Sequence, residues 1–374
     1  MIKIIFKMKS ELITKFYFSS LLIMLLVPLY SQEESNNFIC DQSITLTIDQ
    51  DAFSRWNEDR NYTMGFSLNY SGRMAGKNYL GFPWLRKQVD WLFGLKGMHA
   101  SGSEFLPGLA FMVSAFTPEN LTSTVPVVDD RPYSSIVAIS SFRSTLFKGY
   151  EDEISQSALT TRLNVGLLGT SLASSVQTYI HEQMWFGSTR PIPLGWDNQI
   201  SNGGEPTLLY QIQYSEPLLN GHIKKDGAYT RRKWFEVIWN AEGNAGYYTN
   251  AAVGTVLRLG WYETPFWYMN SAGMSSINQA PALVSDHFEI FVSVGARVRG
   301  IVYNGLLQGQ FTSSAHALDR SEVRTFIWES EVGVITRYKN LSCAFFPFQY
   351  RSAEHFLDEQ RSHKWGTIML VVSW

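Results

Sequence analysis

The chain has 374 residues, of which 17% are charged and 14% aromatic, with 28 Gly, 12 Trp, two Cys and a formal charge of −2. A mean hydropathy of −0.10 excludes a protein built from many membrane-spanning helices, and so few cysteines exclude a cystine-stapled scaffold. The near-neutral balance gives no footing for nucleic acid.

The first 32 residues carry Lys3, Lys7, Lys9 and Lys15, then an apolar run from Phe16 to Tyr30 closed by Ser31-Gln32, and read as a secretory signal peptide. Residues 33–374 are expected to form a single domain. Removing the leader takes four Lys and one Glu from 31 basic and 33 acidic residues, leaving 27 and 32 and a formal charge of −5. Cys40 lies ten residues beyond Tyr30, too far for a lipidation site behind the apolar run. No later stretch approaches the roughly 20 apolar residues of a membrane helix, which leaves a soluble exported fold or a β-barrel.

Alternation decides for the barrel, because a strand in a bilayer shows lipid an apolar residue at every second position. Strands are expected at 43–51, 61–71, 105–117, 133–147, 157–168, 206–214, 230–240, 244–260, 286–304, 323–338, 341–353 and 364–374. In the second, Tyr62, Met64, Phe66, Leu68 and Tyr70 form a lipid face and Thr63, Gly65, Ser67, Asn69 and Ser71 a lumen face. In the tenth, Phe326, Trp328, Val332, Val334 and Tyr338 oppose Glu329, Glu331 and Arg337. The last places Ile368, Leu370, Val372 and Trp374 on one face and ends on the aromatic, as outer-membrane barrels do. The expected fold is thus an all-β antiparallel transmembrane barrel of twelve strands in a bacterial outer membrane, monomeric. Its even strand number puts both termini in the periplasm. The segment 72–105 is long for an inner turn, and Trp84, Leu85, Val89 and Leu92 predict an amphipathic helix on the inner membrane surface.

In this topology four polar clusters meet at the outer rim: Asp49-Gln50-Asp51, Asp59 to Thr63, Asp129-Asp130-Arg131, and a segment with Gln177 and His181. The carboxylates are hard oxygen ligands suited to Ca²⁺, His181 is a base titrating near neutrality, and Thr63 offers a hydroxyl. Val176, Ile180 and Met184 predict a short helix with Gln177 and His181 on its polar face, Gln177 orienting the ring. Asp130-Arg131 is expected to be an ion pair, and His287, His316, His355 and His363 to lie on the surface. Lys77, Arg143, Lys148, Arg231 and Arg232 are cations available to phosphates. The serine-hydrolase elbow, His-Glu-x-x-His and the P-loop are absent from the sequence.

The order of these clusters resembles the outer-membrane lipid A 3′-O-deacylase family. The motifs that carry the likeness are Asp49-Gln50-Asp51-Ala52-Phe53; Asp59, Arg60, Tyr62, Thr63 and Gly65; Phe116-Thr117-Pro118; Asp130-Arg131-Pro132-Tyr133; Gly166 and Gly169; Gln177 and His181; and Trp196 and Gln199. They span about Ile44 to Ile200. The resemblance implies a twelve-stranded barrel acting on lipid A of lipopolysaccharide among outer-membrane lipids, with Ca²⁺ as cofactor. It assigns His181 as catalytic base, Thr63 as the hydroxyl residue and Asp51 as the essential Asp, with Gln50 where the family carries Asn. A family Lys after the third strand has no counterpart, its place falling near Thr122 or Ser123. The expected chemistry is hydrolysis of the ester holding the 3′ acyloxyacyl chain: His181 activates water, a cation near Asp51 and Asp49 stabilises the oxyanion, Gln50 and Thr63 position the carbonyl, and Gln177 orients His181. The alternatives are a non-catalytic pore, structural or adhesion barrel, and a phospholipid esterase using the same site.

Overall fold

The computed structural model describes residues 42–53, 61–77, 81–102, 104–148, 155–183, 191–225, 228–268, 285–357 and 362–374. The expected signal peptide, Cys40 and with it any Cys40–Cys343 disulfide, and Asp59-Arg60 lie outside them. Twelve antiparallel strands close on themselves, each paired with its sequence neighbours and β1 with β12. They are β1 (Gln42–Gln50), β2 (Asn61–Gly72), β3 (Glu104–Thr117), β4 (Ser134–Lys148), β5 (Ser155–Leu168), β6 (Glu205–Lys225), β7 (Ala228–Gly246), β8 (Tyr248–Tyr262), β9 (Ser285–Asn304), β10 (Phe326–Lys339), β11 (Leu341–Arg351) and β12 (His363–Ser373). At the seam Gln42 and Trp374 exchange backbone hydrogen bonds of 3.0 and 2.9 Å. Closure leaves no sheet edge, the condition a strand protein must meet in lipid.

The outer wall carries the expected apolar face: Phe66, Leu68, Ile139, Leu208, Val298 and Trp328 are exposed, while their neighbours in sequence are buried inside. β6 and β7 run eleven and six residues further than the alternation indicates, as a long hairpin interrupted by bulges at Pro217/Leu219 and Gly221/His222. Each bulge shifts the period-two pattern by one residue and so hides the far part of β6 from a reading based on that pattern, whereas the added residues of β7 pair with Leu209–Tyr214 in unbroken register.

Two helices join β2 to β3, α1 (Phe82–Leu92) and α2 (Lys96–Ser101), and a third, α3 (Ser171–Gln183), follows β5. The lumen is filled. Arg299 reaches Glu242 at 2.8 Å and Glu329 at 3.1 Å, Arg351 reaches Glu329 at 2.5 Å and Glu354 at 2.9 Å, and His363 stands 3.3 Å from Glu354. Arg131, fully buried, pairs with Glu354 at 3.6 Å and lies 4.4 Å from the Phe116 ring centroid. The Asp130 carboxylate instead caps the backbone N–H groups of Glu119 and Arg131. Asp130-Arg131 is therefore a junction between loop and lumen, and the expected ion pair between the two is replaced by Arg131–Glu354. His355 and His363 are likewise buried rather than superficial, and His316 is held by the Asp130 carbonyl at 2.9 Å. At the end holding the termini, residues after β8 fold inward: Arg258 bridges Glu236 and the Thr264 carbonyl, and Phe266 and Tyr268 are buried.

Candidate active site

Three local irregularities at the rim opposite the termini bring the sequence-predicted residues to one side of the wall. Along β1, Ile44, Leu46, Ile48 and Gln50 point outward while Ser43, Thr45, Thr47 and Asp49 are buried inward. β1 then stops, and Asp51–Phe53 forms a turn of 3-10 helix. This turn folds over β12: a Cβ on Gly366, the residue facing Gln50, would come within 2.7 Å of Phe53. Asp51, buried, thereby leaves the alternation that turns Asp49 inward.

The second irregularity is a bulge in β2. Tyr62 pairs with Phe116 and Met64 with Ala115, leaving Thr63 as the extra residue. Thr63 consequently does not face the lumen as alternation predicts. Its Oγ1 lies 2.7 Å from Oγ1 of Thr117, which follows the inward-facing Phe116 and so points outward. Tyr62 swings inward instead, packs against Phe116 and Trp365, and donates its hydroxyl to Asp49 Oδ2 at 2.6 Å, while Thr367 donates to Asp49 Oδ1 at 2.6 Å. A Cβ at Gly65 would sit 1.9 Å from that Tyr62 hydroxyl, which is the physical reason for glycine at this place in the motif.

The third element is α3 with the segment that returns to β6. Ala173, Gln177 and His181 are spaced every four residues and share a face of the helix. Ala173 is buried against Met64, Ala115, Leu121, Tyr133 and Trp196, the outward wall next to Thr63 and Gln50. Gln177 is buried too, and its Oε1 accepts from Trp196 Nε1 at 2.9 Å, whereas Val176 and Tyr179 are exposed. The polar face of the helix therefore lies toward the protein. Gln177 is thus a clamp between helix and loop and does not orient His181. That role falls to the Pro191 carbonyl, 2.7 Å from His181 Nδ1. A carbonyl only accepts, so Nδ1 carries the proton and Nε2 is the basic nitrogen of the ring. Trp196 and Gln199 complete the clamp through Tyr133, 4.9 Å from the Trp196 ring, and Ser135, whose hydroxyl donates to Gln199 at 2.9 Å. Gly169, at φ +70°, has no room for a Cβ against the Ser201 carbonyl.

The structure thus sets Gln50 opposite Met64 and so beside Thr63, with the Asp51–Phe53 turn following directly, and anchors the helix bearing His181 on the adjoining wall. It separates Asp49 from them. With both carboxylate oxygens taken by hydroxyls on the inner face, Asp49 does not belong to a cation site on the outer one. What remains for a metal is a hard-oxygen set of one carboxylate, Asp51, one amide oxygen, Gln50, and the Thr63 hydroxyl. Among the described residues no three His, Cys, Asp or Glu gather as a ligand cluster. The set suits Ca²⁺, which accepts carbonyl, amide and water oxygens, and does not suit a softer transition metal. Pro191 escaped the sequence reading, since nothing local marks it, and Thr117, read only as part of the Phe116-Thr117-Pro118 motif, becomes the partner of Thr63 only once the β2 bulge is known.

The model of the family described as outer membrane protein LpxR matches residues 16–374. Among solved structures, LpxR from Salmonella typhimurium is similar with a TM-score of 0.63 at 14% identity, covering 89% of this chain and all of that one. The KdgM porin, covering 89% of this chain and 99% of its own, and the translocator domain of the autotransporter NalP from Neisseria meningitidis, covering 97% and 98%, each align with a TM-score of 0.36 at 6% identity. No curated protein matches the chain in sequence.

Proposed function

Because the chain belongs to the LpxR family of outer membrane proteins, we propose that it is a hydrolase of lipid A, removing the 3′-linked acyloxyacyl chain in the outer leaflet. The observation that carries this reading is the outward placement of Gln50, Asp51 and Thr63 at the rim: an ester buried in the leaflet reaches the outside of the wall and not its lumen. A pore is disfavoured by the lumen, where the cavity beside Arg299 and Glu354 holds only about 60 Å³, on the order of two water volumes.

His181 acts as general base. Its Nδ1–H, donated to Pro191, holds the ring so that Nε2 takes a proton from water, and the hydroxide attacks the ester carbonyl. Asp51, with Gln50, would hold Ca²⁺, which when bound supplies positive charge for the oxyanion. Thr63, fixed by Thr117, places a hydroxyl at the reacting carbonyl. The proton on His181 then passes to the departing alkoxide. Gln50 carries one methylene more than the family's Asn, and the outward turn of strand β1 at this residue accommodates the longer arm.

Mass spectrometry of lipid A from cells with and without the gene is the test. Loss of one acyloxyacyl unit is expected, an unchanged lipid A profile would reject the reading, and a change confined to phospholipids would transfer it to a phospholipid ester. His181→Ala should leave a folded, heat-modifiable barrel whose rate falls by about 10²–10⁴, and activity retained by this variant would remove His181 from the mechanism. Excess EDTA should abolish turnover and Ca²⁺ restore it.

A further inference from the structure

Thr63 stands outward only because of where β2 places its extra residue. With Met64 opposite Ala115, an unbroken ladder would continue as Thr63 opposite Phe116 and Tyr62 opposite Thr117. That register would send Thr63 to the lumen and the Tyr62 ring to the lipid, as alternation predicts. The structure has the other register, with Tyr62 opposite Phe116, Asn61 opposite Thr117 and Thr63 left over. The two differ only over Asn61, Tyr62 and Thr63, at the rim end of the strand, so side chains rather than backbone pairing decide between them.

The inward surroundings of Tyr62 favour the observed register. Its ring is 1% exposed and packs between Phe116 and Trp365, with centroids 5.2 and 5.1 Å away. Its hydroxyl donates to Asp49 at 2.6 Å, Thr367 donates to the other carboxylate oxygen, and Thr367 accepts in turn from Gln349. One chain of hydrogen bonds thus runs from β11 through β12 and β1 to β2 along the inner face of the wall. Asp49 is buried, and a buried carboxylate loses heavily when a donor is removed. The strand also reserves room for the hydroxyl: a Cβ on Gly65 would collide with it and stand 2.7 Å from the Asp49 carboxylate. In the alternative register Thr63 would face inward two residues from Gly65, the partner of Asp49 across β1, and would offer the carboxylate a hydroxyl of its own.

We propose that Tyr62 is a positioning residue for the rim: its hydroxyl bond to Asp49 selects the bulged register and so keeps the Thr63 hydroxyl on the outer face beside Thr117. Tyr62 lies on the opposite face of the wall from Thr63 and acts through it. Asp49, which has no place in the cation site, is the fixed point of this strut and directly precedes Gln50 and Asp51 in the chain. For its effect on rate the inference rests on the lipid A hydrolase reading; for the register it does not.

Two measurements on the purified full-length barrel test it: the nuclear Overhauser effect between the methyl groups of Thr63 and Thr117 in threonine-methyl-labelled protein, and kcat and KM for lipid A deacylation in Ca²⁺. The two Oγ1 atoms are 2.7 Å apart, so the wild type should show the methyl contact. Tyr62→Phe keeps the ring and removes the hydroxyl. It should lose the contact and lower kcat by about tenfold, near the lower end of what a hydrogen bond to a charged group contributes, with KM little changed. Asp49→Leu, which removes the acceptor, should do the same, whereas Asp49→Asn keeps an oxygen for Tyr62 and should retain the contact and most of the rate. Tyr62→Phe with the contact and kcat of the wild type, lowered only in its unfolding midpoint, would overturn the proposal and leave Tyr62 as packing. So would Asp49→Asn losing the contact as Asp49→Leu does. If the wild type leaves lipid A intact, the hydrolase reading fails and the methyl contact alone decides the strut.

Discussion

The lumen and the outward rim of this barrel solve opposite problems with polar residues. In the lumen, Arg299, Arg351 and Arg131 alternate with Glu242, Glu329 and Glu354 as full charges, each held by at least one partner of opposite sign. At the rim, Thr63 and Thr117 face each other as neutral hydroxyls and Gln50 adds an amide, with Asp51 contributing one carboxylate. Charges inside are mutually neutralised and fill space. The oxygens outside stand beside lipid, where uncompensated charge costs most. Structure is thus concentrated in the ion-paired interior, while the rim holds a sparse set of oxygens with a single carboxylate, in which Asp51, Thr63 and Thr117 are themselves buried.

The contrast breaks most visibly if one charge of the lumen is deleted. Arg299→Met leaves Glu242 and Glu329 short of a partner while buried, and should lower unfolding stability in lipid vesicles by about 3–5 kcal/mol, with the deacylation rate of the folded fraction unchanged. A loss of rate in that fraction would mean that the lumen and the rim are coupled. Acid provides a second, smaller perturbation. Burial alone would raise the Glu354 carboxyl from 4.5, but His363, Arg351 and Arg131 override it and hold it at about 2. A carboxylate depressed in the folded state contributes stability that is complete above its unfolded value and lost as pH falls through the folded one. Unfolding midpoints should therefore decline between pH 4.5 and about 2, and Glu354→Gln should flatten that slope. The smallest effect sharpens the rim. Thr63→Val and Thr117→Val each remove one side of the same hydrogen bond and should cost about 1 kcal/mol of stability. Thr63→Val should also lower activity, and by more than Thr117→Val, which only releases the Thr63 hydroxyl; equal rate losses in the two would make Thr63 structural.

The strands were legible because lipid imposes a period of two on every element that crosses it, and Phe66, Leu68, Val332, Val334 and Trp374 obey it. The same rule misplaced Thr63, since a bulge inverts the face by a single residue and leaves no mark in composition. The partners of Asp49 were out of reach for another reason. Thr367 stands on the strand that closes the barrel, 318 residues away in sequence, and only closure brings it near. Gly65 reads as a motif residue in sequence, and its meaning appears only with the Tyr62 hydroxyl in the space a side chain would need. For α1 and α3 the periodicity predicts the helices but not what their polar faces meet: α1 is expected on the inner membrane surface, and instead Arg86 and Asp90, like Gln177 on α3, turn against the barrel wall.

Those two inverted helices constrain how the chain reaches its final state. In the aqueous compartment it crosses before insertion, Trp84, Leu85, Trp91 and Leu92 on one helix and Leu172, Val176 and Tyr179 on the other have no wall to turn away from and no lipid to turn toward. Either stripe would then seek any apolar surface, including that of a second unfinished chain. The contacts that bury their polar faces come from strands β3 to β6, so neither helix can dock before those strands are in place. Arg86, Asp90 and His99 thus tie α1 and α2 to three neighbouring strands at once, through Thr161, Tyr210 and Thr145.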